Sequence, residues 1–219
     1  MFDSEPADEF VRRPQGSSCL ILGMMGVVSV FLAIVTMAVV GSVLFPDFGK
    51  LVGREGPADH PAVGRKLPQL ELESLSGAKE RVTLESLAGK VAMVNFWGTW
   101  CGPCLIEAPD LAALGGKLRP EPDFRLLAVS CGKDIPEDAD ALRQETGQFL
   151  AELGLDMPTY VDPDGATRQA FFSLGGKVGL PTTFVLDRRG VIRNVWQGYG
   201  RGTSEQMEQW ILRLLEEPA

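Results

Sequence analysis

The sequence predicts an α/β fold, a mixed sheet flanked by helices, with an apolar segment before it. Apolar runs of strand length alternate with stretches of helical periodicity between about residues 65 and 217. Two late runs, residues 182–186 and 191–196, surround the turn sequence Asp-Arg-Arg-Gly and indicate a hairpin. The alternation favours parallel strands, the hairpin requires an antiparallel pair, and the sheet is therefore expected to be mixed.

The strands are expected at four further places. Residues 69–73 alternate polar and apolar side chains before a Ser-Gly turn. Residues 91–97 and 124–130 are apolar runs of the length that a buried strand needs. Residues 158–161 form a shorter run, closed by the turn residues Asp-Pro-Asp-Gly.

The helices are expected between these strands and at the end of the chain. One follows residue 101 and continues to about Lys117. A second is indicated by apolar residues at helical spacing, namely Leu142, Phe149, Leu150 and Leu153. Thr203 and Gln206 have the spacing of a capping box, which predicts the start of a final helix.

The N-terminal part of the chain predicts a membrane anchor. Residues 19–45 are almost continuously apolar and, at about 1.5 Å a residue, would span roughly 40 Å, more than the ~30 Å bilayer core. A cleaved signal peptide would begin with basic residues, whereas the first ten residues contain four acidic ones. We therefore expect a tail at 1–18, a single transmembrane helix at 19–45 and a Pro/Gly-rich linker at 46–64. The flanking charges are balanced and leave the orientation open.

Composition excludes several classes of function. The net charge of −8 argues against nucleic-acid binding, which requires clustered cations. Four cysteines and one histidine are too few for a disulfide-stapled scaffold or a histidine-based metal site. Cys19 and Cys131 stand alone, so a four-cysteine zinc site would lack its second close pair. We expect no metal and no cofactor.

The remaining cysteines, Cys101 and Cys104, are separated by Gly-Pro and open a predicted helix. A helix N-terminus stabilises negative charge, so Cys101 is expected to have a lowered pKa. Cys104 would lie one turn further in, shielded and able to resolve a mixed disulfide. A peroxiredoxin would carry a threonine three residues before its reactive cysteine, a position that is Gly98 here.

Residues 94–104, Val-Asn-Phe-Trp-Gly-Thr-Trp-Cys-Gly-Pro-Cys, resemble the active-site segment of the thioredoxin superfamily, and best its membrane-anchored TlpA/ResA-like branch. Asn95 stands where cytosolic thioredoxins carry a buried aspartate, and Glu107 matches a glutamate typical of the branch. Residues 179–187 resemble the segment with the family's cis-proline, here Pro181. The resemblance covers residues 65–217 and implies a thioredoxin-like domain with a TlpA-type insertion between the second core strand and Pro181.

The resemblance also implies an activity and its residues. It implies a thiol-disulfide oxidoreductase in which Cys101 and Cys104 form the redox-active disulfide and Glu107 accepts the proton of Cys104. Trp100, Leu180 and Pro181 would bind the substrate, a thiol or disulfide of an exported protein such as apocytochrome c. The domain would lie on the extracytoplasmic, periplasmic side. A transmembrane electron donor would reduce its disulfide after each reaction.

Other interpretations stay open at this stage. The protein would act as a dithiol oxidase if its reduction potential were high, although the Gly-Pro dipeptide favours reduction. A non-enzymatic redox or metal-binding module is the third alternative. Cys131 follows a predicted strand that ends at the active-site edge, and a small, partly buried thiol is favoured there over a redox role.

Overall fold

The computed structural model describes residues 60–134, 137–175 and 179–218, which form an α/β domain built on one sheet. The strands are β1 Glu71–Ser76, β2 Val82–Thr83, β3 Val91–Trp97, β4 Phe124–Ser130, β5 Thr159–Val161, β6 Thr182–Leu186 and β7 Ile192–Gln197. The helices are α1 Gly102–Leu118, α2 Ala139–Leu153, α3 Ala166–Phe172 and α4 Thr203–Glu216, with a short 3₁₀ helix at Glu85–Leu87.

The sheet has the strand order β2-β1-β5-β4-β3-β6-β7 and is mixed, as predicted. Strands β3, β4 and β5 are parallel, whereas β6 and β7 form an antiparallel hairpin beside β3. Strands β3 and β4 stay in register from Val91 opposite Phe124 to Trp97 opposite Ser130. Because both strands end at the same level, the loops that follow them meet at one edge of the sheet.

The sheet is covered by apolar side chains on both faces, which explains why β3 is a continuous apolar run. On one face, α1 and α4 pack against β3, with Leu111, Met207 and Ile211 in the cluster. On the other face, Phe171 of α3 lies 4.6 Å from Phe184 of β6, measured between ring centroids. The long helix α1, whose first turn carries the cysteines, is therefore held against a rigid central strand.

Several elements agree closely with the sequence predictions. Strands 91–97 and 124–130, the helix from the cysteine motif, the 139–153 helix and the hairpin are all present. The strand expected at 69–73 lies two residues later, at Glu71–Ser76. The two-residue strand β2 and the seven-residue helix α3 were missed, because segments this short carry too little periodicity to be recognised.

The predicted capping box at the start of α4 is wrong. The residue before the helix is Gly202, whose positive φ of 80° suits glycine, and no side chain caps the helix. Thr203 Oγ1 accepts a hydrogen bond from the amide of Gly200 at 3.2 Å. Gln206 accepts one from the indole of Trp196 at 3.3 Å. Both side chains connect the helix to the chain before it instead of capping it.

The stretch between β4 and Pro181, where the resemblance predicted an insertion, contains α2, β5 and α3. The predicted tail 1–18 and anchor 19–45, with Cys19, lie outside the described residues, as does the linker up to residue 59. Within the part of the chain that the structure describes, no helix has the length and apolarity needed to cross a membrane.

Candidate active site

Cys101 and Cys104 form a disulfide across the first turn of α1. Cys101 is the N-cap residue, with an extended backbone, and its carbonyl accepts the amides of Cys104 and Leu105 at 3.0 and 3.2 Å. Pro103 lies in the first helical turn, where its missing amide hydrogen leaves no bond unmade. Both cysteines are buried, and Cys101, 6% exposed, is more accessible than Cys104, which is 1% exposed.

The loop between β3 and α1 is fastened to the end of β4. The amide of Cys131 donates to the carbonyl of Trp97 at 2.7 Å. The indole of Trp100 donates to the carbonyl of Cys131 at 2.8 Å, although Trp100 is 46% exposed. A Cβ atom at Gly98 would lie only 2.8 Å from the same carbonyl. Glycine is therefore required at position 98, where the two loops meet.

The Leu180–Pro181 peptide bond is cis, as the resemblance predicted. Pro181 immediately precedes β6, and Thr182, the first residue of β6, pairs with Phe96 near the end of β3. This register places Pro181 at the sheet edge from which the chain enters the cysteine loop. Leu180 is half-buried and packs against the apolar clusters on both faces of the sheet.

Glu107 lies on α1 three residues after Cys104 and is buried, with only 2% of its surface exposed. Its Oε2 accepts a hydrogen bond from Asn95 Nδ2 at 2.9 Å, and the same nitrogen donates to Thr183 Oγ1 at 2.8 Å. Desolvation raises the pKa of Glu107 from 4.5 to about 7. The hydrogen bond from Asn95 opposes this rise in pKa, and the nearby charge of Asp110 adds to it. Glu107 is therefore only partly ionised near neutral pH.

The second carboxylate oxygen of Glu107, Oε1, has no hydrogen-bond partner in the described structure. An unpaired buried oxygen costs roughly 1–3 kcal/mol, so such atoms are uncommon and often functional. Glu107 follows Cys104 by three residues on α1, a spacing that places two side chains on one side of a helix. The arrangement offers a proton acceptor of suitable pKa one turn from the inner cysteine.

The comparisons with known proteins decide the family. The signature of the AhpC/TSA family matches residues 63–195. The thiol-disulfide oxidoreductase ResA of Bacillus anthracis is 31% identical over 152 residues, covering 69% of this chain and 78% of that protein. The chain belongs to the AhpC/TSA family. It is a thiol-disulfide oxidoreductase of the TlpA/ResA-like branch, as the resemblance predicted.

Further relatives agree with this assignment. The thiol:disulfide interchange protein DsbE of Pseudomonas aeruginosa is 28% identical, covering 74% of this chain and 83% of that protein. A DsbE-type interchange protein from Chlorobium tepidum is 29% identical with a TM-score of 0.56, covering 70% of this chain and 97% of that one. A secreted thiol-disulfide isomerase from Corynebacterium glutamicum, also 29% identical, covers 69% of this chain and 86% of that one, with a TM-score of 0.55. The thioredoxin-like fold is thereby confirmed.

In this oxidoreductase Cys131 is a buried free cysteine, only 1% exposed. Its thiol lies 3.6 Å from the carbonyl oxygen of Val129. Desolvation raises the pKa of Cys131 to about 12, so the thiolate needed for exchange is scarce at neutral pH. These features favour the structural interpretation: the backbone of Cys131 supports the active-site loop while its thiol stays protonated.

An acidic groove of about 330 Å³ lies beside Trp100. Four carboxylate residues and one lysine line it: Asp134, Glu137, Asp138, Glu145 and Lys133. Thr99 Oγ1 donates to Glu145 at 3.3 Å, which connects the groove to the cysteine loop. Within residues 60–134, 137–175 and 179–218, no group of three or more potential ligands is arranged to hold a metal ion.

Sequence reasoning missed two residues that hold the side chains beside Glu107. Thr183 holds Asn95, and the Asp110 carboxylate is bonded to the hydroxyl of Tyr199, which is 89 residues away in the chain. Asp110 is an exposed residue three positions after Glu107, a spacing visible in the sequence. Only the fold reveals that Tyr199 contacts it, because no local pattern connects the two residues.

Proposed function

We propose that the protein is a membrane-anchored reductase of disulfides in exported proteins, acting through Cys101 and Cys104. The disulfide at the first turn of α1, with the more accessible Cys101 as the N-cap residue, is the observation that carries this proposal. A thiolate at that position interacts favourably with the helix dipole and with unpaired amides. Reduction of this disulfide yields the dithiol that begins the reaction.

The proposed reaction consists of two exchanges. The Cys101 thiolate attacks one sulfur of a substrate disulfide, forms a mixed disulfide and expels the other substrate sulfur as a thiolate. Cys104 loses its proton and attacks the Cys101 sulfur, which expels the second substrate sulfur. The substrate gains two electrons, and Cys101 and Cys104 are oxidised to the disulfide. A transmembrane electron donor would then restore the dithiol.

Glu107 is proposed to accept the proton of Cys104 in the second exchange. Cys104 is only 1% exposed, so solvent base would reach its thiol poorly. A carboxylate with a pKa of about 7 is half ionised near neutrality and can take this proton. Its unpaired Oε1 supports the role, because that oxygen has no competing hydrogen bond.

The substrate is proposed to bind along Trp100, Leu180 and Pro181. Trp100 presents an exposed indole whose nitrogen is already bonded, leaving its apolar surface for a partner. The carbonyl of Pro181 is taken by the amide of Gly198 at 2.8 Å. Leu180, just before β6, would offer its backbone to an extended substrate segment as in strand addition.

Location outside the cytoplasm is supported by three arguments. Residues 19–45 are apolar over a length sufficient for a membrane helix. A reducing cytosol would make a tethered reductase redundant, whereas exported proteins carry disulfides. One relative is named as a secreted thiol-disulfide isomerase, which agrees with an extracytoplasmic site. Apocytochrome c and other exported thiol proteins are the proposed substrates.

The assignment of the nucleophile is tested by trapping. In cells producing Cys104→Ala, mixed disulfides with partner proteins should accumulate, because the resolving step is lost. Cys101→Ala should abolish both trapping and reduction, and Cys131→Ala is the matched control that should leave both unchanged. Mixed disulfides on Cys104 in the Cys101→Ala variant would reverse the two assignments.

The direction of the reaction is tested by the reduction potential of the Cys101–Cys104 pair. A reductase should have a potential near or below about −200 mV, whereas a strong dithiol oxidase lies near −120 mV. The potential is measured by equilibration with glutathione mixtures and quantification of free thiols. A value near that of the oxidases would replace the proposed function by disulfide introduction.

A further inference from the structure

A hydrogen bond ties helix α1 to the loop between β7 and α4. The hydroxyl of Tyr199 donates a hydrogen bond to Asp110 Oδ2. Tyr199 is half-buried, whereas Asp110 is exposed and makes no ion pair among the described residues. The Asp110 carboxylate, which would otherwise rotate freely in the solvent, is therefore held at a fixed place on α1.

That place is next to Glu107. Asp110 follows Glu107 by three residues on α1, the spacing at which helical side chains are neighbours. The charge of Asp110 raises the pKa of Glu107, in addition to the larger effect of desolvation. The pKa of Tyr199 is itself raised by desolvation, by its bond to Asp110 and by the charges of Asp110 and Glu107. Three acidic groups thus interact within one small region.

We propose that Asp110 and Tyr199 are positioning residues for the proton acceptor Glu107: the Tyr199 hydroxyl holds the Asp110 carboxylate one helical turn from Glu107. The inference rests on the proposed role of Glu107 and extends it. Asp110 supplies a negative charge that disfavours ionisation of Glu107. Tyr199 keeps that charge in place, because its hydroxyl restrains the Asp110 side chain.

The surroundings of Glu107 make Asp110 the main source of charge. The strands β3 and β6 contribute the neutral side chains Asn95 and Thr183. Helix α1 contributes Asp110 and the inner cysteine, and the loop contributes Tyr199. Glu205 of α4 acts on Tyr199 through its charge. No cation is among the groups that shift the pKa of Glu107, so removal of Asp110 is not offset.

The consequence concerns the acid side of the pH dependence. A base that holds its proton more firmly accepts the Cys104 proton more readily but is ionised only at higher pH. Without the charge of Asp110, Glu107 should ionise at lower pH. We expect Asp110→Asn to move the acid limb of the single-turnover reduction rate downward by about 0.5–1 pH unit, the range for a partly screened neighbouring charge.

Tyr199→Phe should move the acid limb of the pH–rate profile in the same direction but by less. The released Asp110 side chain would then rotate toward the solvent, where its charge is screened. Since Tyr199 acts through Asp110, adding Tyr199→Phe to Asp110→Asn should cause no further shift. Glu80→Gln, at an exposed position before β2, makes the same change in net charge and is the matched control.

The experiment uses the full-length protein in detergent, with rates measured from pH 5 to 9 and with an isotope-edited infrared titration of the Glu107 carboxyl. For Asp110→Asn, the expected result is a lower midpoint in both the pH–rate profile and the infrared titration. For Glu80→Gln, both midpoints should be unchanged. An unchanged midpoint in Asp110→Asn, or additive shifts in the double variant, would overturn the inference. Glu107→Gln separates the two claims: if it keeps the acid limb, the proposed role of Glu107 itself is wrong.

Discussion

Replacing Glu107 by glutamine should stabilise the oxidised protein at neutral and alkaline pH while impairing its activity. Glutamine has nearly the same shape and keeps an oxygen that can accept the hydrogen bond from Asn95. It carries no ionisable group, so the cost of burying a charge at this position disappears. Functional sites often retain groups that lower stability, and Glu107 is expected to be one of them.

The size of the effect follows from the pKa of Glu107. Its rise from 4.5 to about 7 corresponds to roughly 3 kcal/mol in the free energy of unfolding. Below pH 4.5 the carboxyl is protonated in both the folded and the unfolded chain, and it contributes no difference. Between pH 4.5 and 7 the unfolded chain loses the proton first, so the wild-type protein loses stability as pH rises. Above pH 7 the loss is complete.

Urea unfolding of the oxidised full-length protein in detergent, followed by tryptophan fluorescence, measures this dependence. The difference in unfolding free energy between Glu107→Gln and wild type should grow from near zero at pH 4 to about 3 kcal/mol at pH 8. Glu80→Gln removes the same charge at an exposed position, and its difference in unfolding free energy from wild type should not increase with pH. A difference that stays constant from pH 4 to 8 would refute the claim that burial holds the Glu107 carboxyl protonated.

Three further predictions concern activity, topology and the free cysteine. Glu107→Gln should slow disulfide reduction by about 10²-fold or more near pH 7, with a defect that shrinks as pH rises and hydroxide deprotonates Cys104 directly; a pH-independent defect would contradict this. An impermeant thiol reagent, applied to intact cells after reduction, should label Cys101, and labelling only after lysis would place the domain in the cytoplasm. Cys131→Ala should cost about 1 kcal/mol in stability and leave the reduction rate unchanged, as measured by urea unfolding and turnover.

The central part of the fold was predictable because its strands are buried on both faces. Strands β3 and β4 are seven-residue segments of mostly apolar side chains, and such a segment bounded by polar residues has few alternatives. The cysteine pair was equally recognisable, since its Gly-Pro spacing and its position after β3 are local features. The cis conformation at Pro181 came only from the resemblance, because proline before a strand is ordinarily trans.

The missed elements depend on contacts that no local pattern encodes. Helix α3 has seven residues and follows Gly165, which adopts a positive φ of 70°, so its start is set by a turn. The Thr203–Gln206 spacing matched a capping box, but the indole of Trp196 engages Gln206. At the start of α4, therefore, a tertiary hydrogen bond formed in place of a local one that the sequence leaves equally available.

Because residue 95 is asparagine and not aspartate, Glu107 has no second buried carboxylate beside it on β3. Its amide donates to Glu107 and to Thr183, so it contributes polarity at the centre of β3 without a titratable proton. A carboxylate at position 95 would interact strongly with Glu107, and the two would lose their protons in coupled steps that belong to the pair. With a neutral amide there, no second buried carboxylate stands beside Glu107 on β3, and the charge that raises its pKa is that of Asp110. Because position 95 on β3 is asparagine and position 110 on α1 is aspartate, the second negative charge lies at the surface and not in the core. Tyr199 holds it there through a hydrogen bond.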